Sequence, residues 1–389
     1  MRLRRLLARV HRYLGLSLLG FVFVAALSGT LLVFGQEIDR LLNPDLLSAT
    51  PPAAGTPPRP LAELVAAGTA HQQARDDGPW QALSLLPPRQ EDGVAILLFK
   101  APDPLQEGRS RFHQVFLDPF TARVLGARDH SSHELNRHQL LHLLRTVHGN
   151  LLLGKTGFWI MGIVAGLWSL MTLLGLYLWW PGRQKLTLAL QIKRQAGPAR
   201  FHFDLHRALG FYSAPVLLVI AITGIYMALP GEVRPLVAAL SPLDDGRTPQ
   251  PAPSAAPPID ADEAVRIARQ VFPKGALRRV GLPRHQDDSY AIGFLLPGEV
   301  QRPSTGRSTV WVTVRGGAVL HSLDATRSSP GDLYLQWQTP LHTGTAFGLT
   351  GRLLVLAAGL AAIGLAYAGL RVWWRRGRGP GWQRPRFAG

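Results

Sequence analysis

Four uncharged apolar runs limit what this chain can fold into. They are Tyr13–Phe34, Thr156–Trp180, Ala208–Pro230 and Leu353–Leu370. An α-helix rises about 1.5 Å per residue, so about 20 apolar residues cross a hydrocarbon core. Three runs reach that length. The fourth reaches it by continuing through Arg371 to Trp373 and Trp374, since an arginine near a helix end extends its head group to the interface. Four transmembrane helices are therefore expected. The basic start of the first run fits a signal peptide, but the run is longer than the roughly 7–15 residues of a signal-peptide core, so it reads as an uncleaved anchor.

The net charge of +17 sits beside these runs. Arg2, Arg4, Arg5, Arg9 and Arg12 precede the first. Arg183, Lys185, Lys193, Arg194, Arg200 and Arg207 lie between the second and third, opposed by Asp204 alone. Arg371, Arg375, Arg376, Arg378, Arg384 and Arg386 close the chain. Together these segments carry +16, which leaves about +1 for everything else. Short loops rich in Lys and Arg stay in the cytoplasm. The expectation is a multi-pass membrane protein with both termini cytoplasmic. Basic residues that hug membrane spans meet lipid head groups, not nucleic acid.

The chain has no cysteine. Disulfides, thiolate iron–sulfur ligation and covalent c-type haem attachment are excluded. A cofactor must be held by His, carboxylate, Met, Tyr or backbone.

The sequence also repeats itself. VHRYLG at 10–15 aligns with LHRALG at 205–210, and Ser28-Gly29 with Thr223-Gly224, at an offset of 195 residues. From His148 and His342, Gly154, Thr156 and Gly157 match Gly348, Thr350 and Gly351. Further on, Gly175, Trp179 and Trp180 match Gly369, Trp373 and Trp374, at an offset of 194. Pro-rich linkers at 49–60 and 249–258 each lead into a short amphipathic helix, about 61–74 and 260–271. Strand-like runs follow: ALSLL, VAILLF and HQVFL in the first half, RRVGL, YAIGFLL and STVWVTV in the second. Turn signals stand at Asp118-Pro119 and Gly316-Gly317. The expected fold is four transmembrane helices in two parallel repeats, each with a small α+β periplasmic domain. The expected boundaries are 1–35 for the first span and its basic start, 36–147 for the first periplasmic domain and 148–182 for the second span. A cytoplasmic loop takes 183–205, the third span 206–230, the second periplasmic domain 231–341, the fourth span 342–376 and a cytoplasmic tail 377–389.

Two motif matches are set aside. Gly149 to Thr156 fit the P-loop pattern, but they precede a transmembrane span on the outer side, and Gly149 and Lys155 become Thr343 and Leu349 in the repeat. What persists is His-x5-Gly-x-Thr-Gly. HELNRH at 133–138 spaces its histidines at i and i+5, off the single helix face that a zinc protease motif needs.

Four histidines recur with their surroundings: His11, His148, His206 and His342. One precedes or opens each apolar run. His11 and His206 fall on the cytoplasmic side, His148 and His342 on the outer side. Around a two-fold axis each pair can face across the bundle, which suits two bis-histidine b-type haems. Zinc or copper is the rival occupant. Gly15, Gly210, Gly154 and Gly348 would leave room for a flat macrocycle, and Arg12 and Arg207 would pair with its propionates. His138 and His142, at i and i+4, are candidate substrate or alternative haem ligands, and His202, four residues before His206, is an alternative inner one. His71, His113, His285 and His321 have no repeat partner and read as surface residues.

With HR-x-LG, DLHR-x-LG, LHTG-x-x-x-G-x-x-G and the later Trp-Trp pair, the chain resembles the PepSY-associated transmembrane family of iron-regulated bacterial inner-membrane proteins. LDPFTARVLG at 117–126 is similar to the end of a PepSY domain, while WVTVRGGAVLHSLD lacks its Asp-Pro turn. Members of that family include dihaem ferric-siderophore reductases. The resemblance implies a haem-dependent ferric-siderophore reductase that passes electrons from a cytoplasmic or quinol donor to a ferric siderophore in the periplasm. No G-x-G-x-x-G is present to bind a dinucleotide donor. The alternatives are a membrane-anchored PepSY regulator of a peptidase or peptide, without redox role, and a siderophore transporter. The latter is disfavoured by the absence of charged residues within the runs.

Overall fold

The computed structural model describes residues 2–53, 55–75, 78–102, 110–130, 134–181, 191–193, 197–244, 250–285, 288–300 and 307–376. Residues 183–190 and 194–196 of the expected loop, the expected tail 377–389 and His133 lie outside them. The chain divides into two compact units. One takes the described residues of Met1–Phe34, Leu144–Leu236 and Gln338–Gly389, the other those of Gly35–Leu143 and Val237–Trp337.

The first unit is a helix bundle. Among the described residues, four helices are long and apolar enough to cross a membrane: Arg2–Leu32, Gly154–Trp179, Pro198–Ala228 and Thr345–Arg375. We label the bundle helices α1 (Arg2–Leu32), α6 (Gly154–Trp179), α7 (Pro198–Ala228) and α11 (Gly348–Arg376). α1 packs on α6 and α11, and α7 packs on the same two. Small residues let the backbones approach: Ala26, Ala358 and Ala362 are buried together with Leu217. A methyl group added at Gly359 would fall 2.3 Å from Thr30 Oγ1. The ends of the helices depart from the apolar runs. α1 and α7 begin well before their runs, so His11 and His206 lie inside the helices and not at their entrances. His148 and His342 lie on separate helices, α5 (Leu140–Asn150) and α10 (Pro330–Thr343).

The second unit is one antiparallel sheet of eight strands in the order β4-β3-β2-β1-β5-β6-β7-β8. The strands are β1 (Gln81–Leu86), β2 (Ala95–Pro102), β3 (Ser110–Leu117), β4 (Val124–Asp129), β5 (Ala276–Gly281), β6 (Ser289–Leu295), β7 (Ser308–Thr313) and β8 (Val319–Leu323). In β2 every second residue, Ala95, Leu97, Phe99 and Ala101, is buried, as period-two side-chain alternation requires. Two helices, α4 (Leu61–Gln73) and α9 (Ala261–Val271), contribute Leu64, Ala264, Val265 and Ala268 to a core shared with Leu85, Leu97, Val115, Val280, Ile292 and Val310. The two sets of four strands meet through β1 and β5, where Ser84 pairs with Gly281 and Leu85 with Val280. Asp262, in the first turn of α9, accepts hydrogen bonds from the backbone N–H groups of Leu61 and Ala62, both at 2.9 Å. It thereby caps α4, which has no side-chain cap of its own. The Asp118-Pro119 signal is the β3–β4 turn, with Asp118 Oδ1 accepting from Phe120 N–H at 2.8 Å. Gly316 and Gly317, at φ 78° and 66°, make the β7–β8 turn.

Candidate cofactor site

Within the bundle the four repeated histidines meet in two pairs. The ring centres of His11 and His206 are 6.5 Å apart with planes at 78°. Those of His148 and His342 are 6.0 Å apart with planes at 65°. The backbone arranges this through four notches. A methyl group at Gly29 would lie 2.8 Å from Cε1 of His148, and one at Gly175 would lie 3.0 Å from Cε1 of His11. At Gly224 the distance to His342 Cε1 is 3.3 Å, and at Gly369 the distance to His206 Cε1 is 3.3 Å. Each ring is thus seated on a glycine of a neighbouring helix.

The residue four positions before the notch supplies a carbonyl. His148 Nδ1 is 3.0 Å from the Ala25 oxygen, His342 Nδ1 is 3.0 Å from that of Ile220, and His206 Nδ1 is 3.1 Å from that of Leu365. His11 Nδ1 is turned to the Met171 carbonyl, outside the hydrogen-bond geometry that its three counterparts keep. A carbonyl accepts and does not donate, so in the neutral rings of His148, His342 and His206 these contacts place the proton on Nδ1 and leave the lone pair on Nε2. Neutral imidazoles held this way are ready-made metal ligands.

The turns that deliver His148 and His342 explain the recurring His-x5-Gly-x-Thr-Gly. After α5 the chain reverses through Leu151, Leu152 and Gly154 at φ 55°, 62° and 56°. A methyl group at Gly157 would fall 1.7 Å from the Asn150 oxygen. After α10 the reversal uses Gly344 and Gly348 at φ 77° and 57°, and a methyl group at Gly351 would fall 2.2 Å from the Gly344 oxygen. Gly154 and Gly348, expected to leave room for a flat macrocycle, take the positive φ that these reversals require. Gly15 and Gly210 likewise abut side chains across the bundle, Met171 Sδ at 3.2 Å and Leu365 Cδ2 at 3.7 Å. The turns also return the rings to the bundle: His148 reaches Gly29 inside α1 and does not stand beyond the ends of the spans.

Arg207 is 3.2 Å from the buried carboxylate of Asp204, which also holds Arg200 at 2.9 Å. The Nε and Nη1 donors of Arg207 are buried without a partner among the described residues. Arg12 is half-buried on α1, one residue after His11. His202 Nδ1 contacts the Pro198 carbonyl at 2.5 Å, and its ring lies 5.6 Å from that of Tyr367.

His138 and His142 are not brought into either pair. They belong to the sheet-bearing unit. His138 precedes α5, so the two do not share a helix face as i and i+4. His138 Nε2 is 3.4 Å from Asp45 Oδ2, whereas the His142 ring is 4.7 Å from that of His130. His113 is buried, not a surface residue, and its ring lies 5.5 Å from Trp80. His285 and His321 are exposed.

Four apolar helices enclosing opposed imidazole pairs define a multi-pass membrane protein with a histidine-lined interior. The chain belongs to the family described as PepSY-associated TM region, whose model matches residues 8–376. No curated protein matches it.

Proposed function

We propose that the chain is a haem-containing inner-membrane oxidoreductase that passes electrons across the membrane to reduce ferric siderophores in the periplasm. The observation that carries this reading is the paired, pre-oriented imidazoles. Two imidazole nitrogens each about 2 Å from one metal ion put the ring centres about 6 Å apart, and the two pairs stand at 6.5 and 6.0 Å. Among the described residues no group of three or more His, Asp or Glu is placed to hold a metal ion. Bare zinc or copper would take three or four protein ligands. Two opposed imidazoles suit an iron whose remaining positions a macrocycle fills.

His11 with His206, and His148 with His342, would be the axial ligands of two b-type haems. When bound, each haem supplies reversible one-electron chemistry at its iron. The chain's own contribution is orientation: glycine notches seat the rings, and carbonyls hold three of the Nδ1 protons. The unpartnered donors of Arg207 suit a propionate carboxylate. The substrate class and the direction of electron flow come from the family resemblance. The orientation with both termini cytoplasmic comes from the charge of the loops.

A pyridine haemochrome assay on the purified protein tests the reading, with two haems per chain as the expected result. His148→Ala or His342→Ala should remove one haem, as should His11→Ala or His206→Ala, whereas His285→Ala should keep both. The reduced protein should be reoxidised by a ferric siderophore, followed in the Soret band by stopped flow. A colourless, folded protein would leave the membrane-anchored regulator as the reading to pursue.

A further inference from the structure

We propose that Ser28 and Thr223 are positioning residues that set the His148–His342 pair electronically apart from the His11–His206 pair; this rests on the haem reading above. Each stands one residue before a notch glycine. Ser28 Oγ donates to the Val24 carbonyl at 2.6 Å, and Thr223 Oγ1 donates to the Val219 carbonyl at 2.6 Å. Their protons are thereby committed within their own helices. What each hydroxyl offers the imidazole is a lone pair. His148 Nδ1 lies 3.2 Å from Ser28 Oγ, and His342 Nδ1 lies 3.1 Å from Thr223 Oγ1. Each Nδ1–H is therefore shared between a carbonyl and a hydroxyl oxygen.

The other pair has no such second acceptor. The positions one residue before its notch glycines are Leu174 and Ala368, which carry no polar atom. Among the described residues His206 Nδ1 donates to the Leu365 carbonyl alone, and His11 Nδ1 faces the Met171 carbonyl outside hydrogen-bond geometry, with no hydroxyl beside it.

Acceptors on the far nitrogen raise the basicity of a ligating imidazole. A more basic axial ligand favours the ferric over the ferrous ion and lowers the potential. The hydroxyl pair thus makes the His148–His342 site the more reducing of the two. Iron held in a tight ferric chelate is hard to reduce, so a low potential belongs at the site that faces the chelate.

The test uses the full-length protein in detergent and compares it with the Ser28→Ala/Thr223→Val double variant. Spectroelectrochemical titration and low-spin electron paramagnetic resonance are read together with haem content. The variant is expected to retain two haems. The lower midpoint should shift positive with a change in one resonance signal, while the other midpoint and signal stay in place. The swap Ser28→Thr with Thr223→Ser should restore the parent values. Two bound haems with both midpoints unchanged overturn the assignment, as does a shift confined to the higher midpoint. If the double variant loses haem, each single variant must move the lower midpoint positive, and failure to do so overturns the assignment equally. A parent protein without haem defeats the underlying reading and this inference together, and the haem assay shows that before any titration begins.

Discussion

The carbonyl oxygen of Ile220 lies 3.0 Å from Nδ1 of His342, and Ile220 stands four residues before Gly224, the glycine on which the His342 ring is seated. Donor ring, acceptor carbonyl and notch form a single unit spread over one helical turn. The same unit occurs at Ala25 and Gly29 for His148 and at Leu365 and Gly369 for His206.

The notch glycines should therefore be as sensitive as the histidines. A Cβ at Gly29 would come within 2.8 Å of His148 Cε1, closer than carbon atoms pack. Gly29→Val is expected to displace that ring and lower bound haem from two per chain to one. The haemochrome assay checks this, and the spectrum of the remaining haem should match that of the His148→Ala protein. Gly20→Val is the control, because nothing lies within 4 Å of its Cβ position.

The turn glycines act one step further away. At Gly157 an added methyl group would overlap the Asn150 oxygen at 1.7 Å, and at Gly351 it would overlap the Gly344 oxygen at 2.2 Å. Gly157→Ala and Gly351→Ala should each pull an imidazole off its notch and cost one haem. The other haem should stay bound, which distinguishes a local effect from unfolding. Lys155→Ala, which removes the lysine of the apparent P-loop, should change neither haem content nor stability.

In the sheet-bearing unit, Asp262 is expected to matter more than an ordinary helix residue. It caps α4 through two backbone N–H groups. Loss of a capping carboxylate costs about 1–2 kcal/mol. Asp262→Ala should lower the midpoint of thermal unfolding, followed by circular dichroism. Arg266→Ala, whose ion pair with Glu263 is exposed, should shift it far less.

The orientation is open to a direct test. A reporter that functions only in the cytoplasm, fused after Gly389, should be active, and one inserted at Ala252 should be silent. The +16 charge of the terminal and central basic segments drives the expectation. Activity at Ala252 would reverse the assignment of sides.

Much of this was legible from residues alone. The apolar runs marked the four long helices, and the recurrence of His11, His148, His206 and His342 marked the rings that meet. The third strand of each set, HQVFL and STVWVTV, was readable as a short run rich in β-branched and aromatic residues. The fourth strands were not: Val124–Asp129 is short and half-buried along nearly its whole length, and Val319–Leu323 is short and largely exposed, so neither shows an alternating buried stripe. The single sheet was hidden as well, because the β1–β5 pairing rests on two register pairs separated by nearly two hundred residues of chain. At the site, the acceptors for Nδ1 are backbone atoms of Ala25, Ile220 and Leu365, and a carbonyl leaves no mark on side-chain pattern. Ser28-Gly29 and Thr223-Gly224 did recur, yet recurrence alone did not reveal that an imidazole sits on them. The helices also outran hydropathy. Basic residues at Arg2 to Arg9 and Arg200 continue the helices beyond the apolar stretch, which placed His11 and His206 at helix starts when they lie within.

The junction of β1 with β5 bears on stoichiometry. A polypeptide ending before residue 197 would present β1 as an open edge and would own one imidazole of each opposed pair. An edge strand with unpaired N–H and C=O groups recruits another strand, and under the proposed haem reading a lone imidazole would leave the iron one ligand short. Both deficits are removed at once by the other half of the chain, which supplies β5, His206 and His342. Carrying both halves in one chain makes a concentration-dependent association intramolecular, with the effective concentration set by the linker in place of the protein's own concentration.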